Sequence, residues 1–361
     1  MRAEDAAATF TGERLRLARF RAGLTVRELA ERVGVTHAAV SQYETGRTRP
    51  LPPVTARLAL ATGVSPGFFS FNKRPISSGG LDGTHFRSLR STTKQARAGA
   101  FAWAEVVLDI AEVLERHVRF PAIDLVTLSL TPTSSTDDID TAVAALRDLW
   151  TLPDGPVGNL IRHMESHGVL VSRLQVADTS IDAYSHFQGP RPVVVLGSTK
   201  SDAARSRFDA AHELGHLICH PDADPGGEQE QQAHAFAAEL LMPRVHMVRL
   251  LPRRFDLGAY ARLKQDWGVS IAALLYRART LEVITDAAYR RSVMVMNRDY
   301  GRRTEPFPLT APEQPALLRA AAKLAAQHGI TLEQISDEAA VPVSDVEAVL
   351  GRPDPRPAVE L

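Results

Sequence analysis

The chain has 361 residues, 44% hydrophobic and 23% charged, a globular balance that excludes disordered and fibrous classes and leaves room for two or three domains. Lys+Arg and Asp+Glu are equal at 42 each, so a uniformly basic nucleic-acid coat is excluded. The single cysteine, Cys219, excludes an intrachain disulfide, a thiolate metal cluster and Cys-x-x-Cys redox chemistry.

The neutral total hides an asymmetry. Residues 1–75 hold 12 Lys/Arg against 6 Asp/Glu, whereas residues 208–243 hold 7 Asp/Glu and no Lys/Arg. An anion-binding end and a separate acidic region able to hold cations are expected. No apolar run approaches the roughly 18–20 residues of a membrane helix. No apolar stretch follows Met1-Arg2-Ala3-Glu4-Asp5, and one thiol suits a reducing compartment. A cytoplasmic protein with no membrane partner is therefore expected.

Residues 12–69 read as short helices joined by tight turns. Leu15, Leu17, Ala18 and Phe20 mark the first, which Gly23 ends. Thr25 with Glu28 forms a capping box for the second, whose core face is Leu29, Ala30 and Val33. Gly34 turns the chain and Thr36 caps a third helix. Ala39, Val40 and Tyr43 face inward there, leaving His37, Ala38, Ser41, Gln42 and Glu44 outward; Gly46 closes it. Helices joined by such a turn present one of their number to the DNA major groove. Gln42 can read adenine bidentately, and Ser41 can bond a base edge or a phosphate. Arg27, Arg47 and Arg49 would meet phosphates, and Thr36 and His37 complete the DNA-contacting candidates. The run from Gly23-Leu24-Thr25 to Thr45-Gly46-Arg47 resembles the lambda-repressor/Cro-type (XRE) DNA-binding domain.

Downstream, Pro75-Ile76-Ser77-Ser78-Gly79-Gly80 reads as a linker. Helices are expected at about 98–117, 140–150 and 157–167. Phe101, Val106, Leu108, Val113 and Leu114 stripe the first, with Trp103 either in that stripe or at a domain contact. Thr131 to Asp138 reads as a loop. Val169–Val171 and Pro192–Leu196 read as strands. Asp182 to His186 reads as loop residues at a strand end, with Tyr184 or His186 as alternative oxyanion donors. Trp267 and Tyr276 are expected in a core. The four prolines between Glu305 and Pro315 let no helix pass.

The acidic region contains His212-Glu213-Leu214-Gly215-His216. Its histidines are i and i+4, so they share one helix face, about 40° apart, and can grip one zinc ion. Zinc brings the pKa of water down to about 7, and Glu213, next along the helix, can take that proton for attack on a peptide carbonyl. A catalytic zinc needs a third ligand. Glu230 and His234, again i and i+4, lie on a second helix whose apolar side is Ala233, Phe236, Ala237, Leu240 and Leu241. Either can ligate while the other orients an imidazole. His220, beyond His216 at a fraying helix end, reads as a surface residue, with a place near the site as the alternative.

Residues 190–243 resemble the ImmA/IrrE family of HExxH metallopeptidases, through the strand at Pro192–Leu196, Phe208-Asp209-Ala210-Ala211 leading into the motif, and Glu230 to Pro243. The resemblance implies zinc, a thermolysin-like core of helices beside a small sheet, and the motif roles of His212, Glu213 and His216. Members often carry Asn or Asp where this chain has His234, which leaves the third ligand open between Glu230 and His234. Segments Ala144–Val169 and Trp267–Ala278 extend the resemblance to long fusions of helix-turn-helix and peptidase.

Gly329 to Val346 echoes Gly23 to Val40 in its apolar pattern, with Thr331 as cap and Pro342 where Thr36 stands. Residues 329–351 hold 5 Asp/Glu and no Lys/Arg, and phosphates would repel such a helix. It reads as a packing or partner-binding unit.

The expected fold is mainly α with a small β-sheet (α+β). Four blocks are expected: a helix-turn-helix domain at 1–74, a linker and connecting helix at 75–139, a zincin-like metallopeptidase domain at 140–304, and a helical segment at 305–361. The expected protein is a DNA-binding transcription regulator. It would act on double-stranded operator DNA as a homodimer, and its Zn2+-dependent endopeptidase would cleave a partner regulator or the chain itself. The alternative is a DNA-bound sensor that holds metal or ligand without hydrolysis.

Overall fold

The computed structural model describes residues 2–70, 76, 93–128, 130–131, 133–174, 183–187, 189–197, 202–220, 226–301 and 304–351, Leu174 and His186 by their backbones only. The expected linker lies outside the described residues except for Ile76, and so does Asp182.

The chain opens with α1 (Ala3–Ala8), α2 (Gly12–Arg21), α3 (Val26–Val33), α4 (His37–Glu44) and α5 (Pro52–Thr62). Then come α6 (Lys94–Glu115), α7 (Thr136–Leu149) and α8 (Leu160–Ser166). Strands β1 (Leu170–Leu174), β2 (Ala183–His186) and β3 (Val193–Gly197) precede α9 (Ala203–Cys219) and α10 (Gly227–Leu241). The rest is helical: α11 (Arg244–Leu250), α12 (Leu257–Trp267), α13 (Ile271–Thr280), α14 (Asp286–Tyr300), α15 (Leu317–Gln327), α16 (Leu332–Ala339) and α17 (Val343–Leu350). This is the expected mainly α, α+β class. Two compact units interleave along the chain. One gathers Met1–Ile123, Gly168–Gly197 and Pro315–Leu361; the other gathers Asp124–His167 and Ser198–Gln314. The sequence reading divides the chain into consecutive blocks, whereas packing regroups distant stretches.

The first unit is organised around α6. From Ala100 to Leu114 this helix is buried on nearly every side, as an all-round apolar helix must be. Trp103 belongs to this core and donates its indole N–H to Ser172 Oγ on β1 at 3.2 Å. Arg14 of α2 forms a buried, two-pronged ion pair with Asp109 of α6. The sheet runs β1-β3-β2, with β3 parallel to β1 and antiparallel to β2. The central β3 is buried throughout, which explains its unbroken apolar run. β2 corrects the loop expected at Asp182–His186: four residues are too few to show alternation. Tyr184 lies in this unit's core.

Inside the N-terminal helices, caps and glycines set the path. Thr25 and Glu28 form the expected capping box. Gly34 ends α3 in the left-handed region, at φ +73°, where a Cβ costs energy. Thr36 accepts from Ala39 N at 3.2 Å to start α4. Gly12 has a different task. A Cβ there would sit 2.3 Å from Tyr43 O and 2.4 Å from Glu44 O, so only glycine lets α2 approach the end of α4 this closely.

In the second unit α9 and α10 lie side by side, and α7 covers α10. Gly215 of α9 faces Phe236 of α10, where a Cβ would stand 3.0–3.2 Å from the ring and its Cβ. α7 begins at Thr136, inside the stretch read as a loop, because Ser135 and Asp138 form a second capping box. The proline-rich stretch is irregular, as expected. Its Glu305 accepts from Ile271 N and Ala272 N, both at 2.9 Å, and so caps the positive end of α13. Trp267 is buried, but Tyr276 is 40% exposed, correcting its assignment to the core.

Candidate metal centre and DNA-reading helix

His212 and His216, one turn apart on α9, bring their Nε2 atoms to 3.1 Å of each other. Glu230, in the first turn of α10, places Oε2 3.4 Å from His212 Nε2 and Oε1 3.2 Å from His216 Nε2. Among the described residues these three form a group whose ligand atoms converge within 4.8 Å. A tetrahedral zinc with bonds of about 2.0–2.1 Å separates its donors by about 3.3 Å, and the three spacings bracket that value. Glu230 Oε1 is buried and makes no hydrogen bond of acceptable geometry. A buried carboxylate oxygen beside two inward-facing imidazole nitrogens is a donor set suited to a divalent cation. The residues therefore fit the zinc that the motif implies.

Charge agrees with this geometry. Burial works against ionisation of Glu230, but His212 and His216 outweigh it and hold the carboxyl at about 2. Burial likewise lowers His212, and Glu230, with Glu213 and Asp209, more than reverses that. Glu213 is buried on α9 next to His212.

His234 stands apart from the three donors. Its ring packs on Phe208, with centroids 4.9 Å apart, and edge-on to Tyr276 at 5.9 Å. Burial, then the charge of His212, lowers its pKa. Both rivals occupy one face of α10, but four residues are about 6 Å of helix. Only the earlier one is level with the two histidines. The structure thus brings Glu230 to the pair and leaves His234 against aromatic rings.

The reading of His220 as a surface residue is also corrected. It is buried, and burial pushes its pKa down to about 4. Its Nδ1 lies 3.2 Å from His216 Nδ1, and its Nε2 lies 2.8 Å from Gln232 Oε1. The sequence signal was present, since His216 and His220 are i and i+4. Gln232 was missed because a glutamine amid polar residues carries no motif. Cys219, beside them, is buried and its thiol is pushed up to about 12 by burial alone.

On α4, His37, Ser41 and Gln42 are exposed, as are Thr36 before it and Arg47 and Arg49 after it. Arg27 on α3 is exposed and pairs with Glu31 at 3.0 Å. Arg49 donates to Ala8 O at 3.1 Å. Glu44 differs from expectation. It turns inward to a buried ion pair with Arg19 of α2, at 2.5 and 2.8 Å. A partner 25 residues away is invisible to helical periodicity.

Two family models match the chain. One, described as a helix-turn-helix domain, covers residues 12–67. The other, described as an IrrE N-terminal-like domain and classed as a peptidase, covers residues 164–279 and so takes in the three strands, α9 and α10. No curated protein matches the chain. The protein joins an XRE-type helix-turn-helix domain to an ImmA/IrrE-like domain of a metallopeptidase family.

Proposed function

We propose that the chain is a DNA-binding transcription regulator whose metallopeptidase-like domain cleaves a peptide bond in a partner regulator or in the chain itself. The observation that carries this is the convergence of His212 Nε2, His216 Nε2 and the Glu230 carboxylate at 3.1–3.4 Å, with Glu213 adjoining on the same helix. His212, His216 and Glu230 would hold zinc, which supplies Lewis acidity toward a peptide carbonyl and toward water. Glu213 takes the proton of the attacking water and passes it to the leaving nitrogen. His234, against Phe208 and Tyr276, shapes the wall beside the centre rather than ligating.

At the other end, Gln42 and Ser41 read base edges while Arg27, Arg47 and Arg49 engage phosphates, with Thr36 and His37 at the leading end of α4. Readers of this kind occupy paired half-sites as dimers, so the working form is a homodimer. No described helix is long and apolar enough to cross a membrane, and the proposed place of action is the cytoplasm, where operator DNA lies.

The test measures metal content and cleavage of casein and of candidate partner repressors, for wild type and Glu213→Gln. One zinc per chain in both, with cleavage only in wild type, is expected. Zinc retained with no Glu213-dependent cleavage would replace the peptidase by a DNA-bound metal or ligand sensor.

A further inference from the structure

Behind the metal-binding face of α9 runs a chain of hydrogen bonds that ends on the backbone. Gln232 of α10 donates its Nε2–H to Thr131 O at 2.7 Å. A carbonyl oxygen can only accept, so the amide orientation is set: the reverse would press two oxygens together. Gln232 Oε1 therefore points at His220 Nε2, 2.8 Å away, and that nitrogen carries a hydrogen. On its other side His220 Nδ1 faces His216 Nδ1 at 3.2 Å. With the hydrogen of a neutral His220 on Nε2, its Nδ1 is bare and accepts from His216 Nδ1–H. His216 then has no hydrogen on Nε2, the atom 3.2 Å from Glu230 Oε1 and 3.1 Å from His212 Nε2. The relay is sheltered, since Gln232 and His220 are both buried. His220 is also held by its own backbone N–H to His216 O at 2.9 Å.

We propose that Gln232 and His220 are positioning residues that lock His216 in the Nδ1–H tautomer, so that its Nε2 lone pair is presented to the metal before the metal arrives. The inference rests on the metal-centre reading above and adds the source of the centre's preorganisation. Partners that orient a ligand imidazole are worth about 10–100-fold in metal affinity. His220 thereby differs from a fourth ligand, because its acceptor nitrogen is turned to His216 Nδ1 and away from the three donors.

Zinc affinity of the full chain, measured by competition with a chromophoric chelator, tests this with Gln232→Leu, beside nitrogen–proton correlation spectra of the histidine rings. Leucine removes both ends of the relay. The expected result is a loss of about 10–100-fold for Gln232→Leu, with His216 of the metal-free wild type protonated on Nδ1. Equal affinity of Gln232→Leu and wild type overturns the positioning role and leaves the metal reading standing. A wild type that binds no zinc overturns both. If Gln232→Leu fails to fold, the metal-free wild type decides, through nitrogen–proton correlation spectra of its histidine rings. His216 protonated on Nδ1 supports the proposal, and His216 protonated on Nε2 sinks it.

Discussion

The N-terminal stretch 25–44 and the C-terminal stretch 331–350 fold alike and differ in what their third helices present. Val26–Val33 and His37–Glu44 correspond to Leu332–Ala339 and Val343–Leu350, each boundary shifted by 306 residues. Both stretches start with a capping box, Thr25 with Glu28 and Thr331 with Gln334. Both turn through a left-handed residue, Gly34 at φ +73° and Ala340 at φ +61°. The likeness ends at the third helix. Where the first copy exposes Ser41, the second exposes Glu347, and Ala348 replaces Gln42. Asp345, in the place of Ala39, is mostly buried and forms a two-pronged ion pair with Arg21 of the first copy. Ser65 N donates to Ala340 O at 3.3 Å. Caps and turns that make the helices survive in both copies. The exposed Ser41 and Gln42 survive in one, while the other uses its third helix for packing.

The comparison can be broken at graded cost. The largest effect is expected from Asp109→Ala, which removes the carboxylate paired with buried Arg14. Removing one partner of such a pair costs about 3–5 kcal/mol, read as a large drop in the first thermal transition. The second copy has Ala320 at the place of Arg14. Next, Gln42→Ala with Arg47→Ala removes about 1–3 kcal/mol of base discrimination and lowers the salt slope of operator binding by about one. Glu347→Ala in the second copy leaves the electrophoretic shift unchanged; a weakened shift there would make the second copy a DNA reader after all.

Smaller changes sharpen the likeness. Gly12→Ala drives a methyl into Tyr43 O and Glu44 O and should cost about 1–3 kcal/mol, whereas the second copy accommodates Leu318 at the matching position. Thr25→Ala and Thr331→Ala should each cost about 1 kcal/mol, the same in both copies if the capping boxes are equivalent. Ala340→Gly should stabilise by about 0.5 kcal/mol, because relief of the left-handed strain slightly exceeds the added freedom of the unfolded chain. Chemical denaturation of each variant measures all three.

Much of this was legible because it is local. Caps, turn glycines, the i and i+4 histidines and the apolar run of β3 each announce themselves within a few residues. What escaped depends on distant partners. Periodicity within α4 points Glu44 outward because its partner Arg19 lies on another helix. The sequence of α9 alone puts His220 at the surface, because the Gln232 and Thr131 that cover it lie outside that helix. The choice between Glu230 and His234 could not be made from periodicity, since both share a face, and needed the level at which α10 meets α9. The start of α7 is a different kind of miss: Ser135 and Asp138 have capping-box spacing, but Thr131 to Ser135 around them favours a loop.

The three-part make-up of the first unit has a consequence for biosynthesis. A ribosome makes a chain from its N-terminal side, at roughly 5–20 residues per second. The short N-terminal helices emerge early, but the core around α6 draws on β1–β3 and on α15–α17. That core stays open until α15–α17 have been made. Any nascent or truncated product lacking α15–α17 presents an uncovered apolar helix to chaperones and proteases, so quality control over the N-terminal helices is exercised through α15–α17.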